Sequence, residues 1–190
     1  MTFQAVDLTP QIGTQIIAEL PVLLDRSIAS ELRAILEQRG VLLIRGIEMD
    51  DEQQLQFAKT LGEPRHEHGT DITKVSSDKE KSPIFAEYTK GTFMFHFDDT
   101  YMQYPALASV LRCRTTAPQG GQTEFANTYA AYEELPQETK DRIAGLKVVH
   151  GFETSMRRAG VEPTEDTLAY WRSLPDKSHN LVWTHASGRK

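Results

Sequence analysis

His96 and Asp98 lie two residues apart in the run Phe93-Met94-Phe95-His96-Phe97-Asp98, where aromatic residues alternate with other types. Such alternation is strand periodicity, and in a strand residues i and i+2 point to the same face. The imidazole and the carboxylate can therefore reach one ion from one side, with Phe97 on the other. Imidazole plus carboxylate is a ligand set for Fe(II) when a second histidine completes a facial triad. Three protein ligands on one face then leave three coordination positions open. A His-x-Asp tripeptide alone is common, so the residues that follow it matter. They are Tyr101, Pro105-Ala106, an apolar run to Thr115, Pro118-Gln119-Gly120-Gly121-Gln122-Thr123-Glu124-Phe125, Ala130-Ala131-Tyr132 and Leu135-Pro136.

The elements that must position this pair are readable from period and punctuation. Ile28, Leu32, Ile35 and Leu36 recur at helical spacing, with Ser27 as candidate N-cap and Gly40 as stop. Val41–Ile44 is a short apolar run that reads as a buried strand. Asp50 with Gln53 has the spacing of a capping box, opening a helix whose inner face is Leu55, Ala58 and Leu61 and whose end is Gly62. Residues 63–92 are polar and irregular, and hold His66, His68 and Asp71; a stretch of this kind is a lid, a binding loop or a surface excursion. Strands are expected at Phe93–Asp98, Ala106–Thr115, Gln122–Ala126, Leu146–Phe152 and Leu181–His185, and short helices at Tyr129–Leu135 and Pro136–Leu146. Ser187-Gly188 is a turn that usually joins two strands, so the natural product is expected to continue beyond Lys190; the alternative is that the last residues are a frayed tail.

Composition narrows the function classes. The chain has 190 residues and a formal net charge of −6, with no basic stripe for nucleic-acid phosphates. Arg157-Arg158 reads as a solvated face. No apolar run approaches membrane-spanning length, and residues 1–20 lack a signal-peptide pattern. The single cysteine, Cys113, excludes an internal disulfide and reads as a buried small hydrophobe. A cytoplasmic location is the expectation.

From about Asp7 to Lys190 the chain closely resembles the taurine/dichlorophenoxyacetate dioxygenase family of Fe(II)/2-oxoglutarate oxygenases. The match includes Gly40-Val41-Leu42-Leu43-Ile44-Arg45-Gly46, Phe57-Ala58, Leu61-Gly62 and Thr184-His185-Ala186-Ser187-Gly188-Arg189-Lys190. Its most specific part is His-x-Asp followed at this distance by Gly-Gly-x-Thr. The resemblance implies an α+β chain with a mainly β core, a cupin-like double-stranded β-helix or jelly roll with flanking helices. It implies one oxygenase domain over residues 1–190, lacking its C-terminal portion. His96 and Asp98 fall on two iron ligands, Thr123 on a residue that helps hold the distal carboxylate of 2-oxoglutarate, and His68 on a contact to the acidic group of the substrate. The implied activity is hydroxylation of a small anionic compound (a sulfonate, sulfate ester or aryloxy acid) by O2 and 2-oxoglutarate, releasing succinate and CO2. Homo-oligomers are common in the family.

The sequence departs from the family pattern in three places. The third iron-ligating histidine and the arginine that pairs with 2-oxoglutarate have no matching motif, and His150, His179 and His185 lack the required context. Thr92 stands where asparagine is frequent. Two rival readings follow: a jelly-roll protein with a non-redox metal, and an inactive fragment or pseudo-enzyme with a binding role.

Overall fold

The computed structural model describes residues 2–65, 72–76, 78, 80 and 94–190. They form two compact units, Met1–Thr73 with Val110–Asn127, and Lys74–Ser109 with Thr128–Lys190.

In the first unit, β1 (Gln4–Asp7) pairs antiparallel with β2 (Thr14–Ile17), and β2 pairs parallel with β3 (Leu42–Ile44). The β1–β2 loop closes through the Leu8 N–H to the Gly13 carbonyl at 2.9 Å, with Gly13 at φ 84°. From below, the Arg39 guanidinium donates to the Pro10 carbonyl at 3.0 Å and pairs with Asp7 at 3.3 Å.

A parallel pair needs a crossover. It is supplied by α1 (Leu20–Leu23), a 3-10 turn at Arg26–Ile28 and α2 (Ala29–Arg39). Ser27 does not cap this helix as expected. The Asp25 carboxylate accepts the Ser27 N–H at 2.8 Å and opens the 3-10 turn that leads into α2. Gly40 ends α2 in the left-handed region, at φ 75°. Ile16, Val22, Leu23, Ile28, Leu32 and Phe57 form the core. Leu23 and Leu32 are wholly buried, and burial of each contributes about 1.5–3 kcal/mol.

The expected capping box is present on α3 (Asp51–Leu61): the Asp50 carboxylate accepts from Gln53 N–H at 2.8 Å and the Gln53 side chain accepts from Asp50 N–H at 2.9 Å. The inner face is rotated from the expected one. Phe57 and Thr60 are buried, while Leu55 and Ala58 are half-buried. The Phe57 ring has the larger apolar area, and the Thr60 hydroxyl is satisfied by the Phe57 carbonyl at 2.7 Å.

The expected strands at 106–115 and 122–126 do not form, because no described residue pairs with them in a ladder. Side chains hold residues 110–127 instead. Asp51 accepts from Arg112 and Arg114, the Gln54 amide donates to the Val110 carbonyl at 3.1 Å, and the Asn127 amide donates to the Gln11 carbonyl at 2.6 Å. Cys113 is exposed, not buried as expected, since its segment enters no sheet.

The second unit contains α4 (Thr128–Glu133), α5 (Gln137–Ile143), β4 (Lys147–His150), α6 (Phe152–Arg158), α7 (Glu165–Ser173) and β5 (Lys177–Asn180). β4 and β5 pair antiparallel, with His150 opposite Lys177 and Val148 opposite His179. This ladder ends before Leu181–His185, the segment expected to be the strand. Trp171 is buried against the edge of Phe152, whose ring also meets Tyr101 edge-on at 5.3 Å. Glu153 joins α6 to α7 by accepting from Arg157 and Arg172, both at 2.9 Å. Among the described residues no helix is long and apolar enough to cross a membrane.

Two contrasts in stability follow. Leu32→Ala should cost about 2–5 kcal/mol in urea unfolding, by opening a cavity, and Asp50→Ala only about 1 kcal/mol, by removing a cap. His150 titrates below its usual 6.5, because burial disfavours its charged form and the neighbouring His179 adds to the effect. Its stabilising contribution is thus present above pH 6.5 and is lost as pH falls through the lower folded-state value. His150→Gln should flatten the fall of melting temperature between neutral and mildly acidic pH, measured by circular dichroism.

Candidate metal site

No strand forms at 94–98, yet the two side chains meet. His96 Nε2 lies 3.4 Å from Asp98 Oδ1. The chain turns at once after the second residue, where Asp99 adopts φ 61° and its carbonyl accepts the Met102 N–H at 2.8 Å. The pair therefore sits at the entry of a tight turn.

The remaining atoms of both groups are engaged. His96 Nδ1 lies 2.7 Å from the Met94 carbonyl, an acceptor only. Nδ1 then carries the hydrogen, and in the neutral ring Nε2 presents its lone pair towards Asp98. The Ser109 hydroxyl donates to Asp98 Oδ2 at 2.8 Å, leaving Oδ1 facing the imidazole. Two donors about 2.1 Å from one ion stand about 3.0–3.4 Å apart for right-angle to tetrahedral ligation. The spacing thus fits a shared ion, and the bonds behind the donors are those that fix metal-ligand orientation. Both side chains are about half exposed, 48% and 58%, so further positions stay open to solvent. Among the described residues no third His, Cys, Asp or Glu joins them.

Among the described residues, the other histidines make different contacts. His185 Nδ1 accepts the Ser187 N–H at 3.1 Å inside the closing turn, where Gly188 lies at φ 86°. His179 Nε2 lies 3.0 Å from each of the Thr100 and Met102 carbonyls. Its ring stands 5.6 Å from His150 and 5.4 Å from Trp183. Phe97 stacks on Trp183 at 6.3 Å.

Thr123 belongs to the first unit, is exposed, and follows Gly120 and Gly121 at φ 75° and 76°. His66, His68, Asp71, Thr92 and Phe93 lie outside the described residues. Ser109 escaped the sequence analysis. The only available signal was a hydroxyl within an otherwise apolar run, Ala106-Leu107-Ala108-Ser109-Val110-Leu111. A groove of about 460 Å3 in the first unit, lined by Leu24, Arg26, Leu55 and Lys59 among others, holds none of the singled-out residues.

Fold and site together define a mixed helix-and-sheet protein with an open His/Asp pair of metal-donor geometry. The chain belongs to the taurine catabolism dioxygenase TauD/TfdA family, whose profile matches residues 4–190. It is 31% identical over 173 residues to an alpha-ketoglutarate-dependent 2,4-dichlorophenoxyacetate dioxygenase of Burkholderia sp. (strain RASC), covering 82% of this chain and 58% of that protein. It is 33% identical over 168 residues to an alpha-ketoglutarate-dependent sulfate ester dioxygenase of Pseudomonas putida, covering 85% and 55%. The chain thus spans about three fifths of the length of the curated relatives it matches. A taurine dioxygenase from Burkholderia xenovorans superposes with a TM-score of 0.70 at 26% identity, over 100% of this chain and 62% of that one. AAD-2, solved with Mn(II) and N-oxalylglycine, shares the fold with a TM-score of 0.75 at 24% identity, over 100% and 67%.

Ser109→Ala should release Asp98 Oδ2 and weaken Co(II) binding about tenfold, read by titration of the cobalt absorption band, with an unchanged far-ultraviolet spectrum.

Proposed function

We propose that this chain carries the metal-binding part of an Fe(II)- and 2-oxoglutarate-dependent dioxygenase that hydroxylates a small anionic compound. The observation that carries this is the 3.4 Å approach of His96 Nε2 to Asp98 Oδ1, each backed by a hydrogen bond on its far atom. Family membership supports it, and the matched relatives bear names for chemistry on aryloxy acids and sulfate esters. On this reading residues 1–190 belong to one oxygenase domain of jelly-roll type, in a cytoplasmic protein.

His96 and Asp98 would hold Fe(II). Bound iron, with 2-oxoglutarate, supplies the oxidation of a substrate C–H bond by O2, with succinate and CO2 as the other products. The Met94 carbonyl keeps the imidazole in the tautomer that presents a lone pair. The Ser109 hydroxyl restrains the carboxylate. The Thr123 hydroxyl would donate to the distal carboxylate of 2-oxoglutarate, and the glycine pair before it provides the backbone turn. His68 would donate to the acidic group of the substrate. The third histidine ligand and the carboxylate-binding arginine of the family are assigned to no residue of this chain. The partners are O2, 2-oxoglutarate and a sulfonate, sulfate ester or aryloxy acid.

The test is to supply the full-length protein that contains this chain with Fe(II), 2-oxoglutarate and one member of each substrate class, and to measure O2 uptake against succinate. One class should accelerate both at equal stoichiometry, and His96→Ala should abolish them; coupled turnover retained in that variant sinks the metal assignment. Thr123→Val should raise the KM for 2-oxoglutarate about tenfold or more, the loss expected for a hydrogen bond to a charged group, and leave the substrate KM unchanged.

A further inference from the structure

We propose that His179 is a positioning residue for the turn that carries the donor pair; this rests on the reading that His96 and Asp98 hold a metal ion. Both neighbours of His179 Nε2 are backbone carbonyls, Thr100 and Met102, each at 3.0 Å. A carbonyl only accepts, so Nε2 carries the hydrogen and shares it between the two. One N–H thus fixes two of the four residues that follow Asp98. The Met102 N–H already closes onto the Asp99 carbonyl, and Asp99 sits in the left-handed region. Such a turn is costly for a residue other than glycine and persists when its surroundings hold it.

A second contact reaches the same turn from its other end. Trp183, beside the His179 ring, stacks on Phe97 at an interplanar angle of 16°. Phe97 lies between the two donors in sequence. Strand β5 and the residues just after it therefore hold the backbone behind Asp98 and the ring between His96 and Asp98. The separations of 79 and 77 residues make these long-range restraints.

The experiment is titration of Co(II) alone into the protein and into His96→Ala, His179→Gln and His179→Asn, with folding checked by far-ultraviolet circular dichroism. A glutamine amide nitrogen reaches the place of Nε2, whereas that of asparagine stops at the place of Nδ1. His179→Gln should bind Co(II) within about twofold of the parent, and folded His179→Asn about tenfold more weakly, with a changed visible spectrum. Parent affinity and spectrum in folded His179→Asn overturn the proposal, as does a tenfold loss in folded His179→Gln. Should His179→Asn fail to fold, His179→Met, which fills the space without a donor, takes its place with the same expected tenfold loss, and parent affinity in folded His179→Met overturns the proposal. Undiminished Co(II) binding by His96→Ala instead overturns the donor-pair reading itself.

Discussion

To serve as the metal donors proposed above, an imidazole and a carboxylate, both about half exposed, must keep their lone pairs aimed at one point in space. In water each would rotate freely and satisfy itself with solvent. What prevents this is occupation of the far atom of each group: Nδ1 of His96 by the Met94 carbonyl, and Oδ2 of Asp98 by the Ser109 hydroxyl. Each bond removes one rotational freedom and selects one face. The direction of the two facing atoms, His96 Nε2 and Asp98 Oδ1, is then set by the protein. Preorganisation of this kind lowers the ordering cost of binding.

The arrangement also shows why such a site lies at a turn. A regular strand would bring i and i+2 side by side but continue past them. Here Asp99 takes the left-handed conformation, and the chain reverses direction immediately after the second donor. The carbonyls exposed by that reversal need donors, and His179 supplies one that serves two of them. The local break in periodicity and the long-range histidine are thus two sides of one backbone requirement: a buried or half-buried carbonyl is costly when left unpaired.

Those parts of the fold specified by neighbouring residues were legible in the sequence. Helix α2 with its Gly40 stop, the Asp50/Gln53 capping box and strand β3 follow from caps and periodicity acting within a few residues. The strands expected at 106–115 and 122–126 do not form, because residue types record only a tendency while a strand exists only as half of a ladder. The shift of β5 from Leu181–His185 to Lys177–Asn180 has the same cause: the register with β4 decided it, and the apolar Leu181-Val182-Trp183 was the more conspicuous run. At the site, the donor pair was visible as a tripeptide. Ser109 and His179 were not, since 11 and 79 or 77 residues separate them from the partners they bind, and no local pattern encodes such distances. The exposure of Cys113 was missed for the reason its strand was.

The crossover that links β2 to β3 has a consequence for how the chain comes into being. Every element of the β1–β2–β3 sheet and the helices α1 to α3 is contributed by the first 61 residues. Contacts this near in sequence close cheaply, because short loops lose little entropy on forming. During synthesis these residues are translated before His96, and the crossover can pack Leu23 and Leu32 against Ile16 without the His96/Asp98 pair. Vectorial folding would therefore lay down the hydrophobic platform first. The later segment from Val110 to Asn127 then docks onto a surface already formed, with Asp51 and Gln54 as waiting acceptor and donor.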